Sequence, residues 1–292
     1  IFGFNVGALT DMVPAVVIKK LYKKPLMFWV QDIWPDSVYA YGFQKTKVLA
    51  RLLNLFVKFM FNNVTSIAIT GKGFENKLRP YVKKNLDFNY VPNWAIQLNN
   101  NIEEISLSDE GKVNFTFAGN IGKVQNLENI IKAFNMLSNE YQGKAQLNII
   151  GDGSFLEQLM KISKHNSSIV FHGIKQRKEM AKFYKASDFL IVSLIDKPIF
   201  SVTVPAKTQT YIAAKKPILA IINGETADLI RDNHLGLCIN PSDIELIHDT
   251  FQDCINMNES ERMAFVINND QLINNTFNKE NIINDLTRIL VQ

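Results

Sequence analysis

The chain is poor in cysteine, in net charge and in long apolar runs, and each shortage excludes something. Its 292 residues include two cysteines. Cys238 and Cys254 stand in no metal-ligand spacing, and a chain of this length needs no disulfide to hold its core, so a reducing cytoplasm is the natural setting. The formal charge of +4 is too small to call for a nucleic-acid partner; only clustered Lys and Arg would matter, at a membrane or a phosphate. No stretch reaches the roughly 18 uninterrupted apolar residues of a membrane span, because Arg51, Asn54 and Lys58 interrupt the richest run, residues 48–61. The chain opens on Ile1 with no charged leader ahead of an apolar block, which reads as a fragment. What is present is ordinary globular composition, 47% hydrophobic and 21% charged, at a length that suits two domains.

Residues 1–12 read as a glycine-bearing loop entering a helix over 12–21. Beyond it, short apolar runs at 25–30, 66–70 and 89–91 alternate with helical patterns at 45–62 and 73–82. The polar stretch 97–109 reads as a linker. Strands are then predicted at 114–118, 146–150, 169–172, 189–193, 217–222 and 237–239, with helices between them. Such alternation means parallel strands joined by crossover helices. The prediction is an α/β chain of two Rossmann-like, doubly wound parallel-sheet domains. A partial one spans 1–96 and a second spans 97–292, the latter carrying a closing helix. Open parallel sheets bind ligands beyond the carboxyl ends of their strands, so a site is expected in a cleft between the two.

Several segments could carry chemistry. Phe117-Ala118-Gly119-Asn120-Ile121-Gly122-Lys123 ends a strand and precedes a helix expected near Asn126. Glycines let the backbone pass close to a ligand, helix amides favour a phosphate, and Lys123 would add a charge. A tight turn with a solvated lysine explains the same residues without a ligand. Gly151-Asp152-Gly153 and Phe171-His172-Gly173 also end strands; the first needs no ligand, and the backbone of the second could edge a nucleobase, although a lone His is commonly structural. In residues 200–211, Pro205 suits a helix start and Lys207 falls in its first turn. A cation there opposes the helix dipole, which makes sense if an anion lies between the lysine and the amides. In the first domain, Asp32 follows an apolar strand and precedes Trp34 and Pro35; it suits an acid or base at a cleft mouth, or a cap on the next helix, the reading that fits Asp36. Residues 45–62 form a basic amphipathic pattern, which suits either a membrane surface or packing on the domain's own sheet.

Taken in order, these segments resemble the family-4 retaining glycosyltransferases of GT-B architecture, in particular the branch that builds bacterial O-antigens and capsules. The resemblance rests on Gln31-Asp32-Ile33-Trp34-Pro35 with Ser37, Pro92-Asn93-Trp94, the residues from Phe117 to Gly122, Gly151-Asp152-Gly153, Ala186-Ser187-Asp188, and Val204-Pro205-Ala206-Lys207 running into Ala213-Ala214-Lys215-Lys216-Pro217. It implies transfer of a sugar, with retention and without a metal, from a nucleotide-sugar (in this branch usually a UDP-sugar) to a glycan or lipid-linked acceptor at the inner face of the cell membrane. The sequence contains no Asp-any-Asp triplet, and no cofactor beyond the donor is expected. Asp32, Lys123 and Lys207 are the catalytic candidates. Gly119, Asn120, Gly122, His172, Gly173, Thr203, Gln209 and Thr210 are the donor-binding candidates.

Departures from the pattern redistribute the work. Asn120 and Gln125 stand where many relatives carry Arg and Lys, leaving more of the phosphate charge to Lys123 and Lys207. Val202 and Thr210 stand where many relatives carry two Glu, leaving the ribose to Thr210 and Gln209. The resemblance further implies on the order of 80 residues of strand-helix units ahead of Ile1, hence weak donor binding and an exposed sheet edge. Rival readings are a sugar-nucleotide 2-epimerase, separable by acceptor dependence, and a donor-binding subunit that needs a partner.

Overall fold

The computed structural model describes residues 1–40, 42–98 and 105–291. The chain divides into two compact units: Ile1–Trp94 with Lys197–Val204 and Asn275–Gln292, and Ala95–Asp196 with Pro205–Asn274. Both are open parallel sheets with helices, the α/β class read from the sequence. Part of the predicted linker, residues 99–104, lies outside the described residues.

The first unit runs β1 (Phe2–Asn5), α1 (Val13–Tyr22), β2 (Met27–Val30), α2 (Asp36–Ala40), α3 (Lys47–Asn62), β3 (Ser66–Ile69), α4 (Phe74–Leu78) and β4 (Phe88–Tyr90). The sheet order is β1-β2-β3-β4, with every pair parallel. β2 is buried on both faces, as an uninterrupted Met-Phe-Trp-Val run requires. Residues 2–5 correct the expected loop. They form a strand paired with β2, and Phe4 lies 5.1 Å from the Trp29 ring. Gly3 suggested a loop; its lack of a side chain instead lets β1 pass Phe28, whose ring a Cβ would meet at 2.7 Å.

The second unit runs β5 (Val113–Ala118), α5 (Leu127–Asn135), α6 (Asn139–Gly143), β6 (Ala145–Ile150), α7 (Leu156–Ile162), β7 (Ile169–Gly173), α8 (Met180–Lys185), β8 (Phe189–Ser193), α9 (Ala206–Ala213), β9 (Ile218–Ile221), α10 (Glu225–Asp232), β10 (Gly236–Ile239), α11 (Ile244–Asn256), α12 (Glu259–Ala264) and α13 (Asn269–Asn274). Its sheet order is β10-β9-β8-β5-β6-β7. Sequence order reverses between β8 and β5, a switch point at which doubly wound sheets leave a crevice.

Alternation along β5 sorts its side chains. Phe115 packs against Phe189, Phe251 and Phe134 at centroid distances of 5.3, 4.8 and 6.4 Å; a buried Phe contributes roughly 1.5–3 kcal/mol. On the opposite face Thr116 Oγ1 accepts a hydrogen bond from Ser187, and Asn114 Oδ1 accepts one from Asn148, so this buried layer is polar but paired.

The last helix, α14 (Lys279–Val291), was expected to close the C-terminal domain. It belongs to the first unit. Ile282 and Ile289 complete an apolar cluster with Met27, Trp29, Ala68 and Val91, covering the first sheet.

Candidate functional site

At the carboxyl end of β5 the chain turns through Gly119, whose φ of +145° is glycine territory. Three strand-to-helix loops are stitched there. Gly119 N–H donates to the Ile150 carbonyl at 3.0 Å, Ile121 N–H to that of Asp152 at 2.8 Å, and Gly151 N–H to that of Gly173 at 3.0 Å. Gly151, at φ +134°, abuts the Gly119 carbonyl so closely that a Cβ would overlap it; a Cβ on Gly153 would come within 2.5 Å of the Ile121 carbonyl. The Gly-Asp-Gly turn is therefore the support that shapes the Gly119 loop. Together these loops border an open cavity of about 400 Å³, lined by Gly119, Asn120, Gly151, Asp152, Lys175 and Tyr184 among others.

Lys207 extends from the first turn of α9 to this point. Its Nζ lies 3.8 Å from the centroid of the Phe117 ring and 3.3 Å from Gln125 Oε1. A Cβ on Gly119 would sit 2.9 Å from that ammonium, so the glycine leaves room for the cation. Burial pushes the Lys207 ammonium down to about 7. Gln125, a departure from the family pattern, holds the lysine in place.

The other candidates divide. Lys123 is exposed on a 3-10 turn, Lys123–Gln125, which follows Gly122; no contact between its side chain and Lys207 occurs among the described interactions. The helix expected near Asn126 begins at Leu127, after Asn126 adopts φ 58° and its amide donates to the Pro241 carbonyl. His172 faces the sheet's polar layer, its Nε2 lying 2.8 Å from Asn148 Oδ1, while burial first and Lys175 second push its pKa down. Gly173, at φ 65°, contributes its carbonyl to the stitching. Gln209 and Thr210 are buried in α9, and Thr210 Oγ1 donates to the Ala206 carbonyl. Thr203 belongs to the first unit, where its hydroxyl donates to Ile199.

Asp32 also lies in the first unit, just past β2. Its Oδ1 accepts the Ile33 N–H at 2.9 Å, and burial pushes its carboxyl above the usual value. The Ser37 side chain hydrogen-bonds the Asp32 carboxyl and partly offsets that rise, and around the carboxyl ends of β1 and β2, Asn5 Oδ1, Gln31 Nε2 and the Tyr39 hydroxyl are buried without a hydrogen-bond partner among the described residues. Asn5, Tyr39, Lys175 and Tyr184 are residues that sequence reasoning passed over. Lys175 had a legible signal, since it stands just past the strand predicted at 169–172; Asn5 had none, because residues 1–12 read as a loop.

The sequence profile of the family described as glycosyl transferases group 1 matches residues 99–271, more than half of the chain. The chain belongs to that family. This group 1 chain is 26% identical over 226 residues to the Pseudomonas aeruginosa protein named "Probable glycosyltransferase WbjE", an alignment covering 73% of the chain and 56% of that relative's length. The crystal structure of Anabaena HepE in complex with UDP and glucose superposes with a TM-score of 0.77 at 12% identity, covering 99% of the chain and 77% of HepE. The sucrose-phosphate synthase of Thermosynechococcus elongatus superposes at 0.74 with 15% identity, covering 100% and 73%. At such identities the structural likeness speaks to fold alone, and the fold of the group 1 chain is GT-B.

Proposed function

We propose that the protein is a retaining, metal-independent glycosyltransferase that takes a sugar from a nucleotide-sugar of the UDP class and delivers it to a lipid-linked or envelope glycan acceptor. One observation carries the reading. Lys207 pairs with no carboxylate among the described residues, and it stands beside the backbone of Gly119 at the switch point of a doubly wound sheet. A cation held against an aromatic ring beside a glycine turn suits a diphosphate leaving group, whose developing charge it would stabilise without an ion. Family membership and the UDP and UDP-glucose complexes of HepE support the donor class. Asp32, with its raised carboxyl pKa, and the unpartnered polar atoms of Gln31 and Tyr39 suit an acceptor with hydroxyl groups. The two free cysteines suit a cytoplasmic setting.

Calorimetry with UDP, followed by a transfer assay over a panel of UDP-sugars with and without acceptor, tests the proposal. Saturable UDP binding and acceptor-dependent consumption of donor support it. Turnover without acceptor indicates an epimerase, and binding with no turnover until a second polypeptide is added indicates a donor-binding subunit. An absence of UDP binding overturns it.

A further inference from the structure

α3 carries two apolar stripes. The inner one, with Val57, Met60 and Phe61, is buried in the first unit. The outer one, at Val48, Leu52, Leu55 and Phe59, recurs at intervals of four, three and four residues, so it runs straight down one face of the helix. Val48 is 71% exposed and Leu52 61%. Packing on the sheet accounts for the first stripe and leaves the second unexplained. Neighbouring α1 exposes Val17, Ile18, Leu21 and Tyr22, with Leu21 72% exposed. Lys20 of α1 reaches across to Phe59 of α3, its Nζ 4.5 Å from the ring centroid, so both sets of apolar side chains share one side of the unit. Scattered exposed apolar residues are ordinary; a contiguous two-helix patch with this spacing marks an interaction surface.

Charge decides what the surface fits. From Met12 to Gln31 the sequence holds four lysines, Lys19, Lys20, Lys23 and Lys24, and no Asp or Glu. From Ser37 to Phe74 it holds five basic residues and again no acid. On α3, Lys47, Arg51 and Lys58 fall on one flank of the outer stripe when placed at 100° per residue. A protein partner would have to bury these cations or supply a matching acidic rim. A bilayer with anionic headgroups instead accepts apolar side chains at the acyl boundary while the long cationic stems extend to the phosphates. Among the described residues no helix is long and apolar enough to cross a membrane.

We propose that α1 and α3 together form a docking face for the surface of an anionic lipid bilayer, with the outer stripe entering the headgroup boundary and the lysines and Arg51 on the phosphates. This surface is independent of the donor reading: UDP binding could fail while vesicle binding persists, and the reverse.

The test is co-sedimentation of the protein with vesicles of phosphatidylcholine alone and of phosphatidylcholine with 30% phosphatidylglycerol, alongside calorimetry with UDP as a check on the second unit and circular dichroism as a check on folding. Binding should be at least tenfold tighter to the anionic vesicles and should weaken at least tenfold in 0.5 M salt. Leu52→Asp and the pair Lys47→Glu with Arg51→Glu should each reduce it at least tenfold, with circular dichroism and UDP affinity unchanged. Equal binding to both vesicle types, or none to either, overturns the proposal. So does a self-association that Leu52→Asp abolishes in protein that never sediments with vesicles, because the face would then be covered by a second copy of the chain.

Discussion

The Lys207 ammonium stands 3.8 Å from the centre of the Phe117 ring, with Gln125 Oε1 at 3.3 Å. It is half-buried and pairs with no carboxylate among the described residues, so under the proposed function the donor diphosphate would supply its counter-charge. Lys207→Ala should weaken UDP binding by roughly 10- to 150-fold, the equivalent of about 1.5–3 kcal/mol for a hydrogen bond to a charged group. Because the free lysine titrates at about 7, binding above that pH must take up a proton. UDP affinity should therefore fall as pH rises from 7 to 9, by up to about tenfold per unit, and calorimetry in buffers of different ionisation enthalpy should show the proton uptake. A pH-independent affinity would remove Lys207 from the diphosphate.

The same shift makes a stability prediction of definite sign. Lys207 titrates at about 7 in the folded protein and near ~10.4 when unfolded, so between those values the unfolded chain holds more protons and stability rises with pH. Lys207→Met should stabilise the protein most below pH 7, and that advantage should shrink toward pH 10 by up to ~1.4 kcal/mol per pH unit. Urea melts of both proteins across this window measure the difference.

Gly151→Ala should cost at least ~2 kcal/mol and disable UDP binding, because the new methyl group would overlap the Gly119 carbonyl at a φ of +134°. Gly143→Ala is the control. That glycine ends α6, nothing stands within 4 Å of a Cβ there, and the change should be neutral or stabilise by up to ~1 kcal/mol. Thermal melts and calorimetry on the two variants separate site damage from general intolerance.

Asp188 is conspicuous in the sequence beside Ser187, yet the structure gives it architectural partners. Its carboxylate accepts the Asn114 N–H and the Arg262 guanidinium, each at 2.7 Å, tying β5 to the end of α12. Asp188→Ala should lower stability by about 2 kcal/mol, discounted from fully buried pairs because both side chains are partly exposed, and should leave UDP affinity unchanged. A loss of affinity without a loss of stability would give Asp188 a place in the site.

The alternation of apolar runs and helical patterns was enough to read the parallel strands of the second unit to within a residue or two, from residues 113–118 through 236–239. Residue type singled out the end of β5 and the start of α9 as candidate ligand sites, because a glycine after a strand and a cation at a positive helix end are both visible in the sequence. What was not legible depends on contacts distant in sequence. Gly3 signals a loop locally and becomes strand only because Phe28 lies under it. The assignment of α14 to the first unit follows from where Ile282 and Ile289 find Trp29, and no local pattern encodes that destination. Lys123 and Lys207 look equivalent as basic residues near glycines, but only Lys207 is drawn onto the Phe117 ring.

That final helix also sets an order of assembly. The second unit has all of its residues once Asn274 has been made, whereas the first unit draws on Asn275–Gln292. On the ribosome, Met27, Trp29, Ala68 and Val91 must wait uncovered while some two hundred further residues emerge and organise. Of the two sheets the one made first is thus the later to be completed, and its bare apolar face is what a nascent-chain chaperone would meet until Ile282 and Ile289 arrive.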